Sequence, residues 1–152
     1  MEDKHKRVVL DASVVIKWVI NDKYTEHALR LRDDHLDGRV DVYAPDLLLA
    51  EVGSALRKYV IHGILNKSQA EEALKLIIQS GIKITSAYEN NGSMLLDAMN
   101  LSLELGVTYY DALYLALARM INAPFYTANE KLLANPEIAR KGIPAYHISE
   151  YL

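Results

Sequence analysis

Four polar side chains lie within or shortly after apolar stretches of this chain, and their types would suit the binding of a cation. Asp11 directly follows the apolar run RVVL, and Glu51 is the only charged residue in the stretch LLLAEVGSAL. Asp111 lies near the start of the apolar stretch VTYYDALYLALA, and Asn129 lies two residues after PFYT. A buried carboxylate needs a partner or a metal ion, because removing it alone from water is costly. These residues are therefore the candidates for chemistry.

Asp11 and Glu51 each have an alternative structural explanation. Asp11 or Ser13 could cap the helix predicted to follow, since both side-chain types accept hydrogen bonds from the free N–H groups of a first turn. Glu51 could point into solvent between two apolar stripes of its helix, which is the commoner arrangement for a glutamate. Asp11, however, lies at the carboxyl end of a predicted strand, where open α/β sheets bind their ligands. The sequence leaves both interpretations open.

Asp111 and the residues near Asn129 also match helix-capping patterns. Thr108 could be an N-cap with Asp111 at the third helical position, and an acidic residue suits the positive end of a helix. Thr127 and Glu130 match the strict capping box, whereas Asn129 or Glu130 could instead face a cation. Each capping explanation covers a single helix, and none relates the candidate residues to one another.

Short β-branched runs alternate with longer helical patterns, which predicts an α/β fold. Strands are predicted at Arg7–Leu10, Val40–Tyr43, Ile82–Thr85, Pro124–Thr127 and Pro144–Ile148. Helices are predicted at Ser13–Ile20, Tyr24–Leu36, Pro45–Ile61 and Asn91–Leu105, with two more that begin at Thr108 and shortly after Thr127. His62 and Gly63 are the predicted stop of the third helix. A further helix is predicted from a capping box of Ser68 and Glu71 to about Ser80. Strands separated by helices favour parallel pairing in a sheet that is covered on both faces.

The predicted sheet offers a way to bring the candidate residues together. If the first and fourth predicted strands are neighbours, Asp11 and Asn129 lie at adjacent carboxyl ends. The helices that carry Glu51 and Asp111 could then close the same cleft. A convergence of this kind is harder to explain by capping than any one residue alone.

Length and charge limit the class of protein. The 152 residues fit a single globular domain, residues 1–152, that is large enough to bury a sizeable core. The chain has no cysteine, which excludes disulfides and thiolate zinc sites and suits a reducing interior. A net charge of −3 argues against a protein that coats nucleic acid by charge alone. Because no apolar run suits a signal peptide or a membrane span, a soluble cytoplasmic protein is expected.

Four stretches of the chain, taken in order, resemble the successive blocks of the PIN-domain nucleases, and most closely the VapC-type toxins of prokaryotic toxin–antitoxin pairs. They are VVLDASVVIKW, PDLLLAEVGSAL, GVTYYDALYLALA and FYTANEKL, and they span nearly the whole chain. The resemblance implies a three-layer α/β/α fold with a central, mostly parallel sheet of four to five strands. It also implies a metal-dependent endoribonuclease that hydrolyses phosphodiester bonds in RNA.

The resemblance assigns roles to individual residues. Acidic residues of the family's blocks surround Mg²⁺ or Mn²⁺, and this carries over to Asp11, Glu51 and Asp111 as metal ligands and catalytic residues. Ser13 and Thr127 carry over as hydroxyl neighbours of the acidic site. A ligand set made only of oxygens favours Mg²⁺ or Mn²⁺ over zinc. Such an ion would activate water for attack on the phosphodiester and stabilise the leaving oxygen.

Asn129 departs from the family pattern, which most often has Asp at this position among the catalytic residues. Its amide oxygen can still bind a cation or a metal-bound water, but the lost negative charge predicts weaker binding of a second metal. Glu130 could substitute, although capping explains it more simply. The departure supports an alternative hypothesis, a catalytically weak PIN-like module that binds RNA or protein. An aspartyl-phosphate phosphotransferase with Asp11 as nucleophile fits less well, because such enzymes typically carry a second Asp where this chain has Ser13.

The resemblance also implies partners: an RNA substrate, an antitoxin protein whose peptide occupies the cleft, and a second copy of the chain in a homodimer. Tyr109, Tyr110 and Tyr114 could stack on RNA bases, but aromatic residues at helical spacing are more often core or oligomer contacts. Four basic residues could contact phosphates: Lys17, Arg57, Lys58 and Lys131. For most of them, a position on a solvent-exposed face is the more common explanation. A histidine metal site is not expected, because no two histidines are four residues apart among His5, His27, His35, His62 and His147.

Overall fold

The computed structural model describes residues 6–151, so His5 lies outside the described residues. Five strands are present: β1 (Lys6–Leu10), β2 (Val40–Pro45), β3 (Lys83–Thr85), β4 (Phe125–Thr127) and β5 (Ala145–His147). The α-helices are α1 (Ala12–Val15), α2 (Thr25–Leu36), α3 (Leu47–Ile61), α4 (Lys67–Ile78), α5 (Glu89–Leu105), α6 (Tyr109–Met120), α7 (Glu130–Leu133) and α8 (Glu137–Arg140). The alternation of strands and helices agrees with the pattern predicted from the sequence.

All five strands form one parallel sheet in the order β3-β2-β1-β4-β5. The chain builds outward from β1 to β2 and β3, and then returns to the other side of β1 to add β4 and β5. The point where the strand order reverses therefore lies between β1 and β4, which pair through Val9 with Phe125 and Leu10 with Tyr126. Crevices at such a point, outside the carboxyl ends of the strands, are where open α/β sheets bind ligands.

Helix α6, which carries Asp111, is buried along most of its length. Seven consecutive residues, from Ala112 to Ala118, are buried, and the helix packs against β1, β2, β4 and α5. The central strand β1 ends in three buried residues, as expected for a strand covered on both faces. The expected three-layer α/β/α architecture is confirmed, with a sheet of five strands that is parallel throughout.

Several local predictions were wrong at helix ends. The predicted helix Ser13–Ile20 is instead the short α1 followed by a 3₁₀ turn at Ile16–Trp18. Pro45 does not begin α3 but ends β2, where it pairs with Thr85 at the sheet edge.

Two predicted capping boxes do not form. The box at the start of α4 uses Asn66 and Gln69 rather than Ser68 and Glu71, with reciprocal hydrogen bonds of 2.8 and 2.9 Å. The box in the structure thus begins two residues earlier than the predicted one. The box predicted for Thr127 and Glu130 is absent because Asn129 is the N-cap of α7.

The end of α5 and the start of α6 follow the prediction closely. Gly106 ends α5 with a φ of 68°, a left-handed conformation that costs glycine little. Thr108 is the N-cap of α6, and its hydroxyl accepts a hydrogen bond of 3.1 Å from the backbone N–H of Asp111. Within residues 6–151, no helix has the length and apolar character needed to cross a membrane.

Candidate active site at the carboxyl edge of the sheet

Asp11 lies at the carboxyl end of β1, at the point where the strand order reverses. Its side chain is buried and accepts two short hydrogen bonds of 2.5 Å, from the Ser13 hydroxyl to Oδ1 and from the Thr127 hydroxyl to Oδ2. Burial raises the pKa of Asp11 to about 6, while these two hydroxyl groups, by bonding the charged form, hold it lower than burial alone would. Asp11 occupies the N-cap position of α1 without a close side-chain cap hydrogen bond, but the backbone N–H of Val14 in the first turn still lowers its pKa, so capping explains part of its surroundings and not the two hydroxyl contacts.

The two hydroxyl groups form a clamp that joins β1 to β4. Ser13 Oγ accepts the backbone N–H of Ala128, and Thr127 Oγ1 accepts the backbone N–H of Asn129, both at 3.0 Å. Each hydroxyl thus accepts from the backbone and donates its one proton to the Asp11 carboxylate. Ser13 and Thr127 lie beside Asp11, as expected from the sequence, and both contact it directly.

Glu51 and Asp111 lie on α3 and α6 and approach the same region. Burial is the main cause of the raised pKa of each carboxyl, and the negative charge of Asp111 raises the pKa of both Glu51 and Asp11 further. Asp111 is therefore within electrostatic reach of the other two acids. The backbone N–H of Asp111 donates to the Thr108 hydroxyl that caps α6, and the same hydroxyl lowers the pKa of the Asp111 carboxyl, so capping explains part of the surroundings of Asp111.

The acids do not form a ready-made metal cage. Over residues 6–151, no group of three or more His, Cys, Asp or Glu side chains is arranged to hold an ion. Two carboxylates 4 Å apart repel by about 4 kcal/mol at an effective dielectric constant of 20, which opposes a closer approach without a cation. Bringing Asp11, Glu51 and Asp111 to one ion therefore requires at least one of these side chains to move.

Asn129 has a structural role in this site. Its side-chain oxygen accepts a hydrogen bond of 3.1 Å from the backbone N–H of Leu132, which caps α7. The neighbouring Glu130 is exposed, and one of its carboxylate oxygens lies 3.9 Å from His147 Nε2. Asp11 and Asn129 lie near each other at the carboxyl ends of neighbouring strands, as predicted. The Asn129 backbone contacts the Thr127 hydroxyl, which in turn donates to Asp11.

Tyr114 is the residue whose place in the site the sequence did not indicate. It is only 1% exposed, so it cannot stack on an RNA base. Its hydroxyl donates a hydrogen bond of 2.6 Å to Glu51 Oε1, and burial together with this bond raises the pKa of Tyr114 well above its ordinary value. The available signal was its spacing, one turn after Asp111 on the same helix face. Tyr110 is exposed, and the Tyr109 hydroxyl donates to the carbonyl of Leu95 on α5.

The basic candidates divide into buried and exposed groups. Lys17 is buried and donates a hydrogen bond of 2.7 Å to Asp22, so it is neither on a solvated face nor at the acids. Lys131 and Arg57 are exposed. Lys58 is also exposed and lines a pocket of about 440 Å³ that begins at Glu51.

The fold and its acidic residues define a class of protein: a doubly wound parallel α/β domain with carboxylates near the point where its strand order reverses. Within that class, residues 8–138 match the family model described as PIN domain, and the chain belongs to this family. The family resemblance drawn from the four sequence blocks is confirmed.

Curated relatives carry ribonuclease names. The chain is 37% identical over 93 residues to Ribonuclease VapC1 of Mycobacterium tuberculosis (strain CDC 1551 / Oshkosh), a match that covers 61% of this chain and 66% of that protein. It is 30% identical over 128 residues to Ribonuclease VapC3 of Pyrobaculum aerophilum (strain ATCC 51768), a match that covers 83% of this chain and 92% of that protein.

Solved structures share the fold at low sequence identity. The crystal structure of PAE2754 from Pyrobaculum aerophilum has a TM-score of 0.67 at 23% identity and covers 93% of this chain and 84% of that one. A toxin–antitoxin complex from Klebsiella pneumoniae has a TM-score of 0.61 at 17% identity and covers 86% of this chain and 93% of that one. These two similarities support the architecture of the domain.

Proposed function

We propose that this protein is an endoribonuclease that hydrolyses phosphodiester bonds in RNA with the aid of Mg²⁺ or Mn²⁺, and that it is the toxin of a toxin–antitoxin pair. The observation that carries the proposal is the approach of Asp11, Glu51 and Asp111, from three separate elements, to one end of the sheet. Membership of the PIN domain family and the ribonuclease names of both curated relatives support it.

The side chains present fit a hard divalent cation. The donors are carboxylate oxygens, with no cysteine in the chain, and oxygen ligands favour Mg²⁺ or Mn²⁺. Asp11, Glu51 and Asp111 would hold the ion, which would supply Lewis-acid activation of water and stabilise the leaving oxygen. The Ser13 and Thr127 hydroxyls orient Asp11, because each of its oxygens accepts one of their protons. We include Asn129 in the proposed catalytic group by its position beside Thr127; its side-chain oxygen, which caps α7, would have to leave that cap to reach a cation or a metal-bound water.

The pocket beside Glu51 offers a path for the RNA strand. Ser54, Lys58 and Tyr59 line it from one face of α3 at helical spacing from Glu51, and His62, the C-cap of α3, lines it as well. Lys58 provides a cation for a phosphate, and Tyr59 provides an aromatic ring for a base. A volume of about 440 Å³ lies within the range of small-molecule pockets and suits about one nucleotide.

The test of the enzymatic proposal compares metal-dependent RNA cleavage by the protein and by two variants. Purified protein is incubated with single-stranded RNA and Mn²⁺ or Mg²⁺, with and without EDTA. We expect cleavage that EDTA abolishes and that Asp11→Asn and Asp111→Asn each lower by more than the roughly 10–100-fold typical of losing a group that only supports a ligand, because each removes a charged ligand. Asp33→Asn removes an exposed carboxylate from α2 and serves as the matched control. Cleavage that persists in EDTA contradicts the mechanism.

A catalytically weak binding module is the second candidate, and Asn129 is the observation that favours it. The Asn129→Asp variant restores the family's usual residue and keeps a side-chain oxygen for the cap of α7. A large gain of cleavage in this variant, from a wild-type protein that binds RNA but scarcely cleaves it, supports the binding module. Robust wild-type cleavage rejects it.

The proposal includes two protein partners and a cytoplasmic site of action. The likeness to a fold found in a toxin–antitoxin complex supports an antitoxin whose peptide enters the cleft. A homodimer is supported by Leu96, Met99 and Leu103 on α5, which are 66%, 50% and 76% exposed and form an apolar stripe at helical spacing.

A single domain over residues 1–152 is supported by one sheet and one hydrophobic core that spans the described elements.

A further inference from the structure

The Tyr114 hydroxyl contacts one of the three acids and lies within electrostatic reach of the other two. It donates to Glu51 Oε1 at 2.6 Å, and the negative charges of Glu51, Asp11 and Asp111 all act on it. The residue is 1% exposed, so water does not compete for this hydrogen bond as it would at the surface. A phenol buried beside carboxylates stays protonated and acts as a neutral donor.

The Tyr114 ring is held rigidly by its surroundings. It lies on the buried face of α6 and stacks on Phe125 of β4, with ring centroids 6.1 Å apart and planes inclined by 24°. The position of the hydroxyl is therefore set by the core. Glu51, by contrast, is only partly buried and has three rotatable side-chain bonds, so without a fixed partner its carboxylate is free to turn toward solvent.

We propose that Tyr114 is a positioning residue that holds the Glu51 carboxylate in the cleft and so prepares it to bind the divalent cation. The hydrogen bond occupies one site on Oε1 and leaves Oε2 out of the bond. The inference rests on the proposed function in assuming that the acids share a cation. Groups that orient metal ligands typically contribute a factor of about 10–100 in metal affinity or activity.

The same hydrogen bond has a purely structural alternative, in which it only links α6 to α3. Tyr109→Phe provides the matched control, because the Tyr109 hydroxyl on the same helix donates to the Leu95 carbonyl at 3.2 Å and its removal breaks an interhelical bond away from the acids. Tyr114→Phe removes one oxygen and keeps the ring and its stacking on Phe125. Both variants are checked for folding by circular dichroism and thermal melting.

The experiment measures Mn²⁺ binding by isothermal titration calorimetry together with the kinetics of RNA cleavage. For Tyr114→Phe we expect Mn²⁺ affinity about 10-fold weaker and kcat at least about 10-fold lower, with KM for RNA changed by less than about 2-fold. For Tyr109→Phe we expect all three quantities to stay within about 2-fold of the wild type. Equal effects of the two substitutions overturn the inference.

A double-mutant cycle with Glu51→Ala, which removes the acceptor of the Tyr114 hydroxyl, tests whether Tyr114 acts through Glu51. If it does, Tyr114→Phe adds no further loss of Mn²⁺ affinity in the Glu51→Ala background. A loss of the same size in both backgrounds overturns the positioning role. Calorimetry needs no RNA, so it tests the positioning role separately from the proposed function. If the wild type fails to cleave RNA, the proposed function is rejected. If Tyr114→Phe still weakens Mn²⁺ binding in that case, the positioning role is supported.

Discussion

Replacing Asp11 with asparagine should stabilise the metal-free protein at neutral pH. Burial raises the pKa of Asp11 from 3.8 to about 6, and the unfolded chain restores the ordinary value. Between these values the folded state binds more protons than the unfolded state, so stability falls as pH rises from about 4 to about 6. Above pH 6 the loss is complete and amounts to about 3 kcal/mol. An asparagine side chain at this position carries no charge at any pH and avoids this cost.

The substitution also weakens the hydroxyl clamp. Asparagine offers one acceptor oxygen in place of two, so either Ser13 or Thr127 loses its carboxylate partner, at a cost of about 1 kcal/mol. The two hydroxyl oxygens lie 3.3 Å apart, close enough for the displaced proton to be donated to the other hydroxyl. The net gain for Asp11→Asn is then about 2 kcal/mol at pH 7.5, which corresponds to a rise in Tm of about 4–8 °C for a domain of this size.

Urea denaturation in EDTA at a series of pH values from 4 to 8 measures this difference. We expect the stabilities of wild type and Asp11→Asn to be similar near pH 4 and to separate as pH rises. Asp33→Asn changes an exposed carboxylate and should stay within about 0.5 kcal/mol of wild type throughout. Adding Mn²⁺ should stabilise the wild type far more than Asp11→Asn, because binding to the folded state adds to its stability. A variant that is less stable than wild type at pH 7.5 in EDTA refutes the assignment of Asp11 as a buried, destabilising ligand.

Three further substitutions test the pocket, the proposed dimer surface and the hydroxyl clamp. Lys58→Gln should raise KM for RNA and lower the slope of log KM against log salt concentration by about one. Lys75→Gln on α4 removes the same charge outside the pocket and should change neither quantity. Leu103→Glu should convert the proposed dimer to a monomer in light scattering, whereas Leu36→Glu, at a position 59% exposed on α2, should not. Thr127→Val removes a hydroxyl that lowers the pKa of Asp11, so carboxyl NMR titration of the metal-free protein should find that pKa above about 6; an unchanged pKa contradicts the clamp.

The sequence determined the order and type of the elements. Alternating strand and helix patterns predict a parallel sheet, and each of the five predicted strands is present within a few residues of its predicted ends. The start of α6 at Thr108 and the end of α5 at Gly106 were also predictable, because a cap and a left-handed glycine act within one turn of the chain. The local prediction was wrong at the start of α4, where Asn66 rather than Ser68 is the N-cap, because neighbouring polar side chains of these types can each serve as a cap.

The sequence also placed Asp11 at the carboxyl end of a buried strand and indicated that β1 and β4 could be neighbours. Only the tertiary structure decided which groups surround that carboxylate. The clamp joins residues more than 100 positions apart, and the bond between Glu51 and Tyr114 spans 63 positions. Helical periodicity assigns a residue to a face but does not name the partner opposite that face. Partners of this kind depend on how whole helices pack on the sheet, which is a property of the assembled core rather than of any one segment.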